Sequence, residues 1–493
     1  MSRSPLPHVR AIARPVAPLL VPLALTACGG SSTSYQPPMS TTPPASATST
    51  VSLSVSPTTV SAGAAATIAW SSTNAAGCTA SNGWTGNLAA SGTQTVRAPA
   101  TAASVMYTLA CGSTTTGGIY GGGSTGSATQ SVTLTVTAAS SYTPTTLVGD
   151  TQTTGATQDS HLVNPWGLVF ATGAPIWIAN NGSQTSTLYD GHGTALSLVV
   201  NLANDQNGAA ITGFNPSGIV AGDNNPNDFV VTESGKSGAS SFIYSGEGGS
   251  IAGWSATVDL THAIAMYTAQ DGAIYKGLAI ASNAGSTFLY ATDFHNGKVD
   301  VFDAHFAKQS ATSFPFSDPQ LPANLSPFGI QAIADGASGA VQIYIAYAQP
   351  DARKKDNADG AGLGAIDVFD TSGKLLQQLV PMTTSGVLNA PWGLALAPSD
   401  FGSLSGALLV SNFGDGRING FDPSTGRFLG ALQTGTGPFG QDGLWGIAFG
   451  NDASNQMVTP PSSLNQPHNT LFYTAGPNGE ANGVYGRIDP PAM

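Results

Sequence analysis

The chain has 493 residues, only 9% of them charged, with 61 Gly, 32 Pro and a formal charge of −12. That length allows two or three domains, and the Gly, Pro, Ser and Thr content predicts a turn-rich β protein rather than a helical one. All 27 acids follow residue 149 with 11 of the 15 Lys and Arg, so that part carries −16 and is a poor match for a phosphate backbone.

The chain begins "MSRSPLPHVRAIARPVAPLLVPLALTACGG". Arg3, Arg10 and Arg14 precede an apolar stretch at 15–27 that is too short to span a bilayer stably. This pattern predicts a signal peptide over 1–27. The run Leu25-Thr26-Ala27-Cys28 resembles the lipobox of bacterial lipoproteins. The resemblance implies cleavage before Cys28, lipidation of its thiol and attachment to a membrane. Gly29 rather than Asp follows, which points to the outer membrane where the cell has one. Residues 28–50 carry no charge and read as a Ser/Thr/Pro tether.

Residues 51–137 alternate apolar and polar positions in "VSLSVSP", "SVMYTLAC" and "SVTLTV", with Gly, Ser and Asn breaks between. Period two of this kind predicts a small antiparallel sandwich. Trp70, Trp84, Cys78 and Cys111 carry a resemblance to bacterial immunoglobulin-like modules. If Cys28 is lipidated, Cys78 and Cys111 remain as one disulfide pair in an oxidising compartment, with two buried thiols as the alternative. The segment has no acid and no His, so it reads as a spacer, followed by a linker at 138–145.

From 146 to 490 the sequence repeats itself. The phrases "NPWGLVF", "NPSGIVA", "YKGLAI", "SPFGIQAI", "APWGLALA" and "LWGIAFG" place Gly at 167, 218, 277, 329, 393 and 446. The gaps are 51, 59, 52, 64 and 53 residues. An apolar strand after a Gly at this spacing predicts a six-bladed β-propeller. The segments "IWIAN", "DFVVTE", "TFLYATD", "VQIYIAY", "ALLVSN" and "TLFYTAG" are expected as second strands. Third strands are expected at "GKVDVFD", "GAIDVFD", "GRINGFD" and "GVYGRID". The Gly is expected where inner strands crowd the axis. Trp166, Phe328, Trp392 and Trp445 precede such a Gly, and act either as wedges between blades or over the channel, or as a stacking platform for a ligand. These phrases resemble NHL-repeat propellers, and together with "SNFGDGRINGFD" and "YTAGPNGEANGVYG" an uncharacterised bacterial family of exported NHL-like propellers.

Loops after the second strands would form one mouth of the channel. They hold Asn180 and Asn181, Glu233, Asp293 with His295, Gln349, Asn412 with Asp415, and Asn478 with Glu480. Oxygen ligands in a ring suit Ca²⁺, and the position classes resemble six-bladed lactonases of the gluconolactonase kind. Asp and Asn at strand ends also cap turns without any ligand. His295, with His161 near it, is a candidate base or metal ligand, or a turn residue. No G-x-S-x-G, Walker loop, H-E-x-x-H or CxxC occurs. "QPDARKKDNADGAG" at 349–362 reads as a loop over one rim. The sequence thus supports a binding or scaffold propeller for a small molecule, glycan or protein. The alternative is a metal-dependent hydrolase or lyase in which Glu233, Asp293 and Asn412 converge.

Overall fold

The structure is a computed structural model that describes residues 48–99, 102–112, 127–137, 141–151, 156–335, 338–382, 386–455 and 462–491. The expected signal peptide, Cys28 and the tether up to residue 47 lie outside the described residues. No helix among the described residues is long and apolar enough to cross a membrane.

The period-two segments near the start form two sheets. One contains Thr50–Ser56, Ala65–Thr73 and Ser91–Arg97, and the other Thr59–Ser61, Ala128–Thr137, Ala103–Gly112, Gly77–Asn82 and Gly86–Leu88. Alternation places Leu53, Val55, Ile68 and Trp70 inward from the first sheet, against Leu109, Leu134 and Val136 of the second. Trp70 meets Trp84 edge-on at 5.5 Å. Cys78 and Cys111 are register partners on adjacent strands and form a disulfide.

Six antiparallel blades follow. Their inner strands are Pro165–Phe170, Pro216–Ala221, Tyr275–Asn283, Ser326–Ala334, Pro391–Leu396 and Leu444–Phe449. Each packs against the next, and the sixth returns to the first, so the ring is closed. Every sheet buries its two faces against neighbouring blades, which one blade alone cannot do. At the far rim, repeated Asp residues close hairpins. Asp303 Oδ1, for example, accepts from the backbone N–H groups of His305 and Ala307, and Asp370 Oδ1 from those of Ser372 and Lys374.

Three features differ from expectation. The second strand of blade 2 is Phe242–Gly246, not "DFVVTE". Val230–Glu233 pairs only with Lys236–Ala239, as a hairpin inserted between the first two strands of that blade. The insertion has the apolar alternation of a strand and the expected offset from Gly218, so its sequence imitates the element it displaces. Blade 6 takes its outer strand, Thr143–Gly149, from the start of the propeller. Residues 143–145, expected as linker, are therefore part of the ring. Tyr142 is also buried there, with its hydroxyl donating to Phe401 O at 2.5 Å and accepting from Leu404 N at 3.0 Å. Finally, the outer strands of blades 1 and 2, Val200–Asn204 and His262–Thr268, pair in parallel and join two blades into one sheet.

Candidate functional site

The repeated phrase is a built joint. Register shifts by a bulge at the opening of all six inner strands, around the residue before each Gly. The Gly then faces backbone of the next blade. A Cβ on Gly329 would fall 1.8 Å from Trp392 O, and one on Gly446 2.5 Å from Trp166 O. Hydroxyls fasten several of these joints. Ser411 Oγ accepts from Gly393 N at 2.8 Å and donates to Trp445 O at 2.5 Å. Thr474 Oγ1 does the same between Gly446 N and Trp166 O.

The bulged residues meet on the axis. Trp166 stacks on Trp445 with centroids 3.7 Å apart, and Trp392 presents its edge to both. Phe413 covers Trp445 at 4.2 Å, and Phe328 packs beside it on Phe294. Trp392 Nε1 reaches across the ring to Lys276 O at 2.9 Å, and Trp445 Nε1 donates to Asn164 Oδ1 at 3.1 Å. The aromatic cluster is buried and closes the channel. A cavity of only about 40 Å³ remains among the inner strands.

Blade 3 breaks the aromatic pattern by placing Lys276 in the same slot. Its ammonium lies 5.0 Å from the Trp166 ring centre, a cation–π distance. It also lies 2.5 Å from Glu247 Oε1 and 3.5 Å from Asp356 Oδ1. Glu247 Oε2 accepts from Asn181 Nδ2 at 2.9 Å. Burial raises the Glu247 carboxyl, but Lys276 and Asn181 together outweigh it and leave it below the usual carboxylate range. Glu480 lies on the same rim and accepts from Asn164 Nδ2 at 2.6 Å. Burial pushes its carboxyl up, and the charges of Glu247 and Asp356 add to that. Asp356 comes from the 349–362 loop, which folds onto the mouth and is held by Gly360 N donating to Asn389 Oδ1 at 2.7 Å.

The residues expected at the mouth have varied fates. Glu233 is a correction: it ends the inserted hairpin and sits 3.4 Å from Asn204 Nδ2, beside the outer strands of blades 1 and 2. Glu247 follows the true second strand of blade 2 and takes its place on the rim. Asn180 is fully buried and donates to Thr185 and Thr187 within its own blade. Asp293 caps its own turn through Asn296 and Ile274 N. Asn412 donates to Val387 O at 2.8 Å. Asp415 is exposed and accepts from Arg417 N, and His295 lies 3.3 Å from Lys354 O. His161 pairs with Asp159. Glu233, on its inserted hairpin, therefore leaves the ring of hard ligands expected for Ca²⁺ with Asp293 and Asn412, and Asp293 is spent on its own turn, while Asn412 Oδ1 is buried without a hydrogen-bond partner among the described residues. Asp293 does approach Asp271 and Asp300, but the ammonium groups of Lys298 and Lys308 lie among those carboxylates.

No protein-family model matches the chain. An uncharacterized protein of Acanthamoeba polyphaga mimivirus is 32% identical over 356 residues, covering 69% of this chain and 78% of its own length. The chain belongs to the family of that viral protein. A second mimivirus member, also uncharacterized, is 32% identical over 312 residues, covering 61% of this chain and 77% of its own. Among solved structures, the family fold is similar to virginiamycin B lyase from Staphylococcus aureus at 12% identity and a TM-score of 0.40, covering 71% of this chain and 98% of that one. It is likewise similar to an auxiliary nutrient binding protein from Bacteroides thetaiotaomicron at 9% identity and a TM-score of 0.31, covering 90% and 98%. At such values neither speaks to what this family does.

Proposed function

We propose that the chain is a cell-envelope lipoprotein whose propeller binds a small molecule, glycan or protein at its rim. In this reading Cys28 carries the lipid, residues 28–50 are the tether, and an immunoglobulin-like module spaces the ring from the membrane. The observation that supports binding over turnover is the sealed mouth. A buried cluster of six aromatics closes the channel, Lys276 is already paired with Glu247, and Glu480 already accepts from Asn164. Such a surface encloses no substrate, while the loops around it present exposed polar groups such as Asp415 and Asn478.

The test is a glycan array and a metabolite library screened by thermal shift with the exported, mature chain. A ligand whose effect disappears in a His295→Ala, Asp415→Ala double variant is the expected result. Turnover of a lactone or ester series that is abolished by Glu247→Gln would overturn the reading in favour of an enzyme.

A further inference from the structure

We propose that a second cavity, on the outer half of blade 4, binds a small primary ammonium ligand whose charged head meets Asp367 and Asp318. The ligand's alkyl stem lies against Leu321, Pro322 and Met382. The cavity measures about 180 Å³ and is separate from the channel mouth. A water molecule occupies roughly 30 Å³ in the liquid, so the space is larger than a single solvent site needs.

Asp367 lies on Gly364–Asp370, the third strand of blade 4, and is 1% exposed. A central strand position of this kind ordinarily holds an apolar residue, and its same-face neighbours Ala365 and Phe369 are part of the core between blades 3 and 4. The Tyr347 hydroxyl bonds to the carboxyl, yet Oδ2 is buried with no hydrogen-bond partner. Asp318 reaches the same cavity from the connection between blades 3 and 4. It accepts from Gln378 Nε2 at 2.5 Å and from Gln320 N at 2.8 Å. The charge acting on Asp367 is that of Asp318, another carboxylate, with no cation beside it. Burial first, and Asp318 second, push the Asp367 carboxyl up to about 7. Two acids facing one space without a counter-charge are costly unless a proton or a cation joins them.

The lining decides which cation. Ca²⁺ takes six to eight oxygens. Here Leu321, Pro322 and Met382 offer none from their side chains, and Gln378 turns its amide nitrogen toward Asp318. A primary ammonium needs only a few acceptors and brings an apolar stem that suits the remaining wall. A quaternary ammonium lacks the N–H that the orphaned Oδ2 calls for.

The probe is n-butylammonium chloride added to the full chain at pH 8, compared with n-butanol and with NaCl of equal ionic strength. The expected result is a melting temperature that rises with n-butylammonium alone. Asp367→Asn, which keeps the shape and an oxygen for Tyr347, is expected to weaken binding at least tenfold, about 1.4 kcal/mol. If that variant fails to fold, Leu321→Trp, which fills the stem side, is expected to abolish the rise. No rise in the wild type overturns the proposal. So does an undiminished rise in Asp367→Asn, or a Ca²⁺ response that Asp367→Asn removes while n-butylammonium gives none.

Discussion

Lys276 Nζ lies 2.5 Å from Glu247 Oε1, with side-chain exposures of 2% and 9%, so the rim of the ring holds an ion pair almost wholly out of water. Its geometry explains why blade 3 carries Lys276 in a slot that holds Trp or Phe in four of the six blades and Ser217 in blade 2. Removing one partner strands the other charge.

Lys276→Met is therefore expected to destabilise the propeller by about 3–5 kcal/mol, because it leaves the Glu247 carboxylate buried without its counter-ion. Lys276→Met with Glu247→Leu should cost far less. Asp356→Ala removes a longer contact to a half-exposed carboxylate and should cost less than about 1 kcal/mol. Urea unfolding of the three variants, followed by Trp fluorescence, measures the order. A double variant no more stable than Lys276→Met would show that the stranded Glu247 carboxylate is not what destabilises the single variant.

Gly329→Ala tests the joint between blades 4 and 5. The added Cβ meets Trp392 O at 1.8 Å, and backbone cannot swing aside as a flexible side chain can. A loss of roughly 1–3 kcal/mol or more is expected. A circular dichroism melt that matches wild type would mean that the bulge can open.

Reduction of Cys78–Cys111 should lower the melting temperature of the sandwich and leave the propeller transition in place. The closed loop is of a size for which cross-linking contributes roughly 3–4 kcal/mol in the entropic account. Scanning calorimetry with and without reductant separates the two transitions. A propeller transition that moves with the sandwich would show that the two units unfold together.

Stability should also depend on pH through Asp367. Its folded pKa, about 7, is above the ordinary 3.8, so the folded state holds this proton more tightly than the unfolded chain. The contribution is fully present below pH 4 and is lost as pH rises through about 7. Asp318 and Tyr347 are the titratable groups that act on Asp367, and both stay in place in Asp367→Asn. The difference between wild-type and variant stability should change between pH 4 and 7 by an amount on the order of 4 kcal/mol at most. A flat difference profile would show that Asp367 does not titrate in this range.

Sequence reading reached the ring because the joint needs the same residues six times. Gly167, Gly218, Gly277, Gly329, Gly393 and Gly446 all open inner strands, and a Cβ at each would crowd the backbone of the next blade, least at Gly277. The hairpin at 230–239 was illegible because alternation reports a half-buried strand and not the partner it pairs with. Glu233 was misplaced with it. The site was legible in part: Asn181, Glu480 and the 349–362 loop were expected at the mouth and reach it, and one further signal stood in the repeat itself. Lys276 stands where three other repeats carry Trp, and a charge in an aromatic slot implies a partner. Glu247 as that partner depends on which segment forms the second strand, and local pattern does not contain that information. Asp367 was hidden for a related reason: "GAIDVFD" differs little from "GKVDVFD", whose Asp300 is paired with Lys308.

The pairing of Thr143–Gly149 with Val484–Asp489 has a consequence for biogenesis. The strand that leaves the ribosome first among those of the ring finds its antiparallel partner only when the last one has emerged. Thr143 must wait for Asp489, so every blade between them is synthesised before the ring can latch. A chain exported from its beginning would cross the membrane as an open, unlatched arc and close on the far side.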